Sequence, residues 1–218
     1  MINFPPKVKI CGLSRLEDVQ AVNEYDADFA GFIFWPKSPR FVTIDQAAEL
    51  RKHLKPGIRA VGVFVDTPVE AVAAIVDMGI IDIVQLHGKE NGHYIAQLRS
   101  LVRCEIIKAV KVETEEDILE ADRCKADYIL LDNGKGTGEK FDWKALERAE
   151  KKLEHLYFLA GGLCEENLPE AISAFHPFVF DLNSGVETGL RKDPDKIRKC
   201  IYMIRNTRVY EFRTPWKK

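Results

Sequence analysis

The sequence lacks an excess of charge of either sign. Its 218 residues carry 32 Lys and Arg against 34 Asp and Glu, a formal net charge of -2, so nothing drives non-specific binding to a phosphate backbone or an anionic membrane. Neither nucleic acid nor membrane is expected as a partner. Long apolar runs are missing too. No stretch approaches the roughly 20 residues that span a bilayer, and the opening MINFPPKVKI has no apolar signal core. A cytoplasmic location is expected. The five cysteines, Cys11, Cys104, Cys124, Cys164 and Cys200, are odd in number, scattered and without C-x-x-C spacing, which fits reduced thiols rather than a zinc site or redox pair. There is no G-x-x-x-x-G-K-[ST] phosphate loop. No low-complexity stretch, composition break or linker divides the chain, so one domain over 1–218 is expected, with a short tail from about 206.

What is present is alternation. Short β-branched or aromatic runs stand at Val8–Cys11, Phe29–Phe34, Ala60–Val65, Ile81–Leu86, Glu105–Val110, Tyr128–Asp132, Tyr157–Ala160 and Phe178–Asn183, each followed by an amphipathic segment. Helix starts are marked by the capping-box pairs Ser14/Glu17 and Thr43/Gln46 and by Thr67 before a first-turn Pro68. Further starts are expected near Asn91, Thr114, Asp142, Glu165 and Asp193. Eight such units of about 25 to 30 residues predict an α/β fold, a single (β/α)8 TIM barrel. A doubly wound open sheet would ask for G-x-G-x-x-G after the first strand, where the chain has Cys11-Gly12-Leu13-Ser14.

Polar residues interrupt these strands on one face. Side chains alternate along a strand, so Lys9 pairs with Cys11, Gln85 with His87, Leu130 with Asp132, and Asp181 with Asn183. In a closed barrel these faces converge on one interior. A buried lysine needs a partner, and the first and eighth strands are neighbours, so a Lys9–Asp181 contact below the site is a reasonable expectation. Cys11 and Asp132 end their strands, at the rim where this fold carries its chemistry. Each residue alone reads as a buried hydrophobe or a capping carboxylate; together they supply a base and an acid at one rim.

Phosphate needs backbone N–H groups that a side chain does not screen. Asn133-Gly134-Lys135-Gly136-Thr137-Gly138 follows the sixth strand, Ala160-Gly161-Gly162 ends the seventh and Asn183-Ser184-Gly185 ends the eighth. The seventh-plus-eighth combination is the usual phosphate cradle of barrels. After the second strand, Trp35-Pro36-Lys37-Ser38-Pro39-Arg40 presents an arginine on a proline-stiffened loop, suited to a carboxylate, against the plainer reading of a solvated surface arginine.

Taken in order, VKICGL (8–13), GFIFWPKSPR (31–40), VGVFVD (61–66), VQLHG (84–88), DNGKGTGEKFDW (132–143), LAGGLCEENL (159–168) and DLNSGVET (181–188) resemble the phosphoribosylanthranilate isomerase family of tryptophan biosynthesis. The resemblance implies an Amadori rearrangement of N-(5'-phosphoribosyl)anthranilate to 1-(2-carboxyphenylamino)-1-deoxyribulose 5-phosphate, with a small-molecule phosphoribosyl substrate, no cofactor and no metal. It implies Cys11 as general base, Asp132 as general acid, Arg40 on the anthranilate carboxylate, and Gly161, Gly162, Ser184 and Gly185 on the phosphate, with Lys9, Gln85, His87 and Asp181 in support. Lys135 and Asn183 depart from the family's usual glycine and serine. A thiol base calls for a nearby cation, for which Lys9 is the candidate, and an acid must hold its proton, which burial favours. The alternatives are another phosphosugar barrel enzyme or a non-catalytic phosphate-binding barrel. A metal-dependent epimerase would require clustered His and acidic ligands, and only His87 sits suitably.

Overall fold

A computed structural model describes residues 2–4, 6–132, 144–206 and 210–212. In chain order the elements are β1 (Ile2–Phe4), β2 (Lys7–Cys11), α1 (Leu16–Glu24), β3 (Phe29–Ile33), α2 (Ile44–Lys52), β4 (Arg59–Phe64), α3 (Val69–Asp77), β5 (Ile83–Leu86), α4 (Gly92–Leu101) and β6 (Glu105–Lys111). Then come α5 (Glu115–Ala121), β7 (Tyr128–Asp132), α6 (Lys144–Ala149), β8 (Tyr157–Leu159), α7 (Leu168–Ala174), β9 (Val179–Leu182), the short pair β10 (Glu187–Thr188) and β11 (Arg191–Lys192), α8 (Pro194–Arg205) and β12 (Tyr210–Phe212). Strands β2 to β9 close in sequence order into a parallel barrel, β9 returning to β2, with helices between successive strands: the expected (β/α)8 fold.

Strand alternation sorts the side chains into two cores. Val8, Ile10, Ala30, Phe32, Phe64, Val84 and Leu86 face outward into the layer between sheet and helices. Phe29, Val61, Ile83, Ile107, Leu130, Phe158 and Val179 fill the barrel's lower interior, where the Lys7 ammonium lies 5.2 Å from the Phe178 ring centre and 5.7 Å from that of Phe29. Above that apolar plug sits a polar layer of Lys9, Gln85 and Asp181, and above it Cys11, Ile33 and Val63 with Trp35. The site therefore rests on a packed floor.

Register at the lower end is held by a device the sequence reading missed. Asp28, Asp82 and Asp127 each precede a strand and accept the backbone N–H of the preceding strand: Val8 (2.8 Å), Ala60 (2.7 Å) and Ile106 (2.7 Å). Each carboxylate is also paired with an arginine at or near a helix end, Arg205, Arg51 and Arg99 respectively. The clamp recurs on every second strand from β3 to β7.

Several local expectations shift. Asn91, Thr114 and Asp193 cap α4, α5 and α8, and Thr43 with Gln46 forms the box that starts α2. At α1 it is Asp18, not Glu17, whose carboxylate takes the Ser14 and Arg15 N–H groups, each at 3.0 Å, because Arg15 rather than Ser14 is the cap residue. Pro68 is the cap of α3 instead of its first residue. Helix α7 begins after Asn167 rather than near Glu165, since the Asn167 side chain is spent on the preceding turn. Asp142 and the loop from Asn133, Lys135 included, lie outside the described residues. Strand β12, in the tail, pairs antiparallel with β1, Ile2 opposite Phe212, in a two-stranded sheet separate from the barrel.

Candidate active site

Strand register brings the sequence-marked residues to the C-terminal rim. Cys11 ends β2 and Asp132 ends β7, His87 follows β5, and Asp181 lies in β9 directly opposite Lys9. Together with Arg40, Gln85, Gly161, Gly162, Ser184 and Gly185 they line one cavity of about 410 Å³, whose apolar wall is Ile33, Trp35 and Val63. A hollow of about 540 Å³ at the opposite end of the barrel, between His155, Tyr157 and His176, lies away from the rim where barrel enzymes work. Among the described residues no group of three or more His, Cys, Asp or Glu is arranged to hold a metal ion.

The floor of the cavity is a chain of hydrogen bonds whose direction follows from chemistry. Lys9, fully buried, donates to Asp181 Oδ2 at 2.6 Å and to Gln85 Oε1 at 2.8 Å. An ammonium can only donate, so the Gln85 oxygen must face it and Gln85 Nε2 must donate to His87 Nδ1, 2.9 Å away. That leaves the proton of a neutral His87 on Nε2, 3.6 Å from Asp132 Oδ2. Burial lowers the His87 pKa, outweighing the nearby Asp132 carboxyl, and keeps the ring neutral. Asp181 Oδ1 is buried and has no hydrogen-bond partner among the described residues, an acceptor under the cavity that a ligand hydroxyl would satisfy.

Around Cys11 the balance differs from the sequence expectation. Burial pushes its thiol upward, and the Lys9 and Lys192 ammoniums oppose this without reversing it. Lys9 alone is not enough, because burial outweighs it and the Asp181 carboxylate beside it adds to the upward shift. Burial alone would lower the Lys9 pKa, but Asp181 and Cys11 turn it upward, so the ammonium stays charged.

The turns after β8 and β9 depend on their glycines. Gly161 and Gly162 have φ of +95° and +71°, left-handed values that side chains with a Cβ resist. Asn167 fixes this turn, accepting from Cys164 N and donating to Gly162 O, both at 2.9 Å. Gly185 sits so close to the neighbouring turn that a Cβ there would lie 1.9 Å from Leu163 O. Arg40 is not a solvated surface residue. Its Nε and Nη2 donate to Glu187 at 2.6 and 2.5 Å, and its side chain is 15% exposed. Sequence reasoning missed Glu187, Lys192 and Asn167, whose residue types are ordinary for surface loops.

A rim cavity lined by titratable side chains and by the glycine turns after β8 and β9 fits the class of phosphate-handling (β/α)8-barrel enzymes. Comparison with known proteins narrows this. Residues 8–202 match the family described as N-(5'phosphoribosyl)anthranilate (PRA) isomerase. A curated N-(5'-phosphoribosyl)anthranilate isomerase from Caldanaerobacter subterraneus subsp. tengcongensis is 40% identical over 204 residues, covering 91% of this chain and 98% of the relative. The solved phosphoribosyl anthranilate isomerase of Thermotoga maritima superposes with a TM-score of 0.85 at 34% identity, covering 93% of this chain and 100% of that one. Another solved phosphoribosyl anthranilate isomerase, in complex with reduced 1-(o-carboxyphenylamino)-1-deoxyribulose 5-phosphate, superposes at 0.80 with 35% identity, covering 90% and 96%. The chain belongs to the N-(5'-phosphoribosyl)anthranilate isomerase family.

Proposed function

We propose that Cys11 and Asp132 are the base and the acid with which this chain, an isomerase of the aldose–ketose type in tryptophan biosynthesis, rearranges N-(5'-phosphoribosyl)anthranilate. Asp132 protonates the furanose ring oxygen, the ring C–O bond breaks and the anilino nitrogen lone pair forms the Schiff base. The Cys11 thiolate then removes the C2 proton, and the electron pair moves to the nitrogen to give an enolamine that tautomerises to the 1-deoxyribulose product. His87 Nε2, 3.6 Å from Asp132 Oδ2, stabilises the carboxylate that remains once its proton is given. The phosphate lies between Gly161-Gly162 and Ser184-Gly185, Arg40 takes the anthranilate carboxylate, and Asp181 Oδ1 accepts a sugar hydroxyl. The carrying observation is that Cys11 and Asp132 end strands on different sides of one rim cavity that also holds both glycine turns. Five free cysteines scattered through the fold support a reducing, cytoplasmic setting.

The test is a fluorescence assay of freshly made phosphoribosylanthranilate, with and without chelator. The wild-type protein turns over in both, and Cys11→Ala and Asp132→Asn each lose at least ~10²-fold in kcat with the circular dichroism spectrum unchanged, the usual range for an acid–base group. Near-wild-type turnover by a folded variant removes that residue from the mechanism.

A further inference from the structure

Behind Arg40 stands a charge cluster that the acid–base chemistry does not use. Strands β10 and β11 form a hairpin that sets Glu187 opposite Lys192, and both side chains are buried, 5% and 1% exposed. Lys192 spends all three donors: on Glu187 Oε1 (2.5 Å), Asn183 Oδ1 (2.9 Å) and Asn183 O (3.0 Å). Glu187 in turn accepts from Nε and Nη2 of Arg40 with both of its oxygens. This pairing occupies one edge of the guanidinium. The other edge, Nη1 with the second Nη2 hydrogen, has no hydrogen bond to any described residue, and two parallel donors there fit one carboxylate. Arg40 Cδ lies over Gly12, where a Cβ would approach it to 2.7 Å, so the aliphatic stem is also fixed. Two cations and one anion leave the cluster with one surplus positive charge for a substrate anion.

We propose that Glu187, held by Lys192, is a positioning residue that aims the free edge of Arg40 and thereby sets the selection for a substrate bearing a carboxylate beside the anilino nitrogen. The proposal rests on the reading of Arg40 as the carboxylate anchor. Glu187 does not touch substrate; it fixes the plane and rotation of the guanidinium, and through Lys192, which bonds both Glu187 and Asn183, it ties the carboxylate end of the cavity to the phosphate end.

The experiment measures calorimetric affinities of two ligands, reduced 1-(o-carboxyphenylamino)-1-deoxyribulose 5-phosphate and its phenylamino counterpart without the carboxylate, for wild type, Arg40→Ala, Glu187→Gln, Glu187→Asp and Arg40→Ala/Glu187→Gln. Glu187→Gln lowers the affinity ratio of the two ligands at least tenfold and leaves the carboxylate-free ligand within about twofold of wild type, the change expected when a charge-assisted bond is lost. Glu187→Asp, which keeps the charge but falls one methylene short, lowers the ratio likewise, and its KM rises while kcat stays within about threefold. In the Arg40→Ala background Glu187→Gln changes the ratio no further. A Glu187 variant that weakens both ligands equally, or keeps the wild-type ratio, overturns the positioning role. An Arg40→Ala protein with the wild-type ratio instead overturns the carboxylate anchor itself, whatever Glu187 does.

Discussion

Replacing Lys9 by methionine isolates the energetics of the barrel's polar layer. The substitution keeps an unbranched side chain, one heavy atom shorter, and removes the charge, leaving Asp181, already without a partner at Oδ1, facing an apolar neighbour, and leaving Gln85 Oε1 without its donor. Breaking a buried pair from one side typically costs about 3 to 5 kcal/mol. The structure offers Asp181 one escape, protonation, and this bounds the loss. Holding a carboxyl with a reference pKa of ~3.9 neutral at pH 7 costs about 1.36 kcal/mol for each of ~3.1 units, or about 4.2 kcal/mol; at pH 5 the same arithmetic gives about 1.5 kcal/mol. Burial already holds the Asp181 carboxyl above its ordinary range against the pull of Lys9; in the variant, with the ammonium gone, its folded pKa lies further above the unfolded value, so the unfolded chain releases the proton more readily. Variant stability then falls as pH rises above the unfolded pKa, toward the folded one. Urea titrations should therefore place Lys9→Met below wild type at pH 7 by up to about 4 kcal/mol, and the gap should shrink at pH 5 by up to about 2.7 kcal/mol, less whatever part of that pH dependence the burial-raised Asp181 of wild type already carries. The melting temperature at pH 7 should drop by up to roughly 8 to 16 °C at ~2 to 4 °C per kcal/mol. Adding Asp181→Asn removes the titrating group and with it the excess pH dependence. A loss below about 1 kcal/mol at pH 7, or one that is the same at both pH values, would refute the picture of a buried charge pair supporting the site.

Gly185→Val should force the turns after β8 and β9 apart, because even a Cβ there meets Leu163 O at 1.9 Å. Competitive inhibition by inorganic phosphate and substrate KM should both weaken, by at least tenfold, and unaltered phosphate inhibition would place the phosphate elsewhere. His155 donates Nδ1 to Asp122 at 2.9 Å and lies 3.3 Å from Ala126 O through Nε2, an arrangement satisfied only by the imidazolium, so its pKa is raised, chiefly by the bond to Asp122. The stabilisation, about 1 kcal/mol for a partly exposed charge-assisted bond, is fully present below the unfolded pKa of ~6.5 and lost as pH rises through the folded value. Wild type should thus exceed His155→Gln in unfolding free energy at pH 6 and match it near pH 9; a constant difference would contradict this. Leu190 has φ of +62° beside Gly189 at +58°, the two left-handed positions of a type I′ hairpin turn, so Leu190→Gly should raise stability by about 0.5 to 1 kcal/mol, seen as a higher melting temperature with activity retained.

The features legible in the sequence are those that repeat or that violate a pattern. Eight strand-and-helix units need only periodicity, and Lys9 and Asp181 stand out because a charge on an apolar strand must find a partner. Strand ends gave Cys11 and Asp132 their place because the fold puts its chemistry there. Boundaries were less legible at α1, α3 and α7, where competing side chains such as Asp18 and Asn167 decide which residue caps. The Asp28, Asp82 and Asp127 clamps escaped notice for a different reason: an aspartate before a strand looks like an ordinary turn residue until its carboxylate is seen reaching the neighbouring strand.

Glu187 and Lys192 show why the remainder of the site stays hidden. Along the chain they are two charged residues flanking a turn, indistinguishable from any solvated hairpin, and Arg40 is an arginine in a proline-rich loop some 147 positions away. Only closure of the barrel brings the loops after β3 and β9 together over Gly12 and converts three surface-type residues into a buried cluster. Burial reverses their physical meaning. An exposed pair of this kind contributes little, whereas here loss of any one member strands the others in a medium that penalises unpaired charge. The orientation of Arg40 is thus a property of the hairpin's register, and a substitution that slipped Glu187 out of line with Lys192 would disorder the guanidinium without changing Arg40 itself.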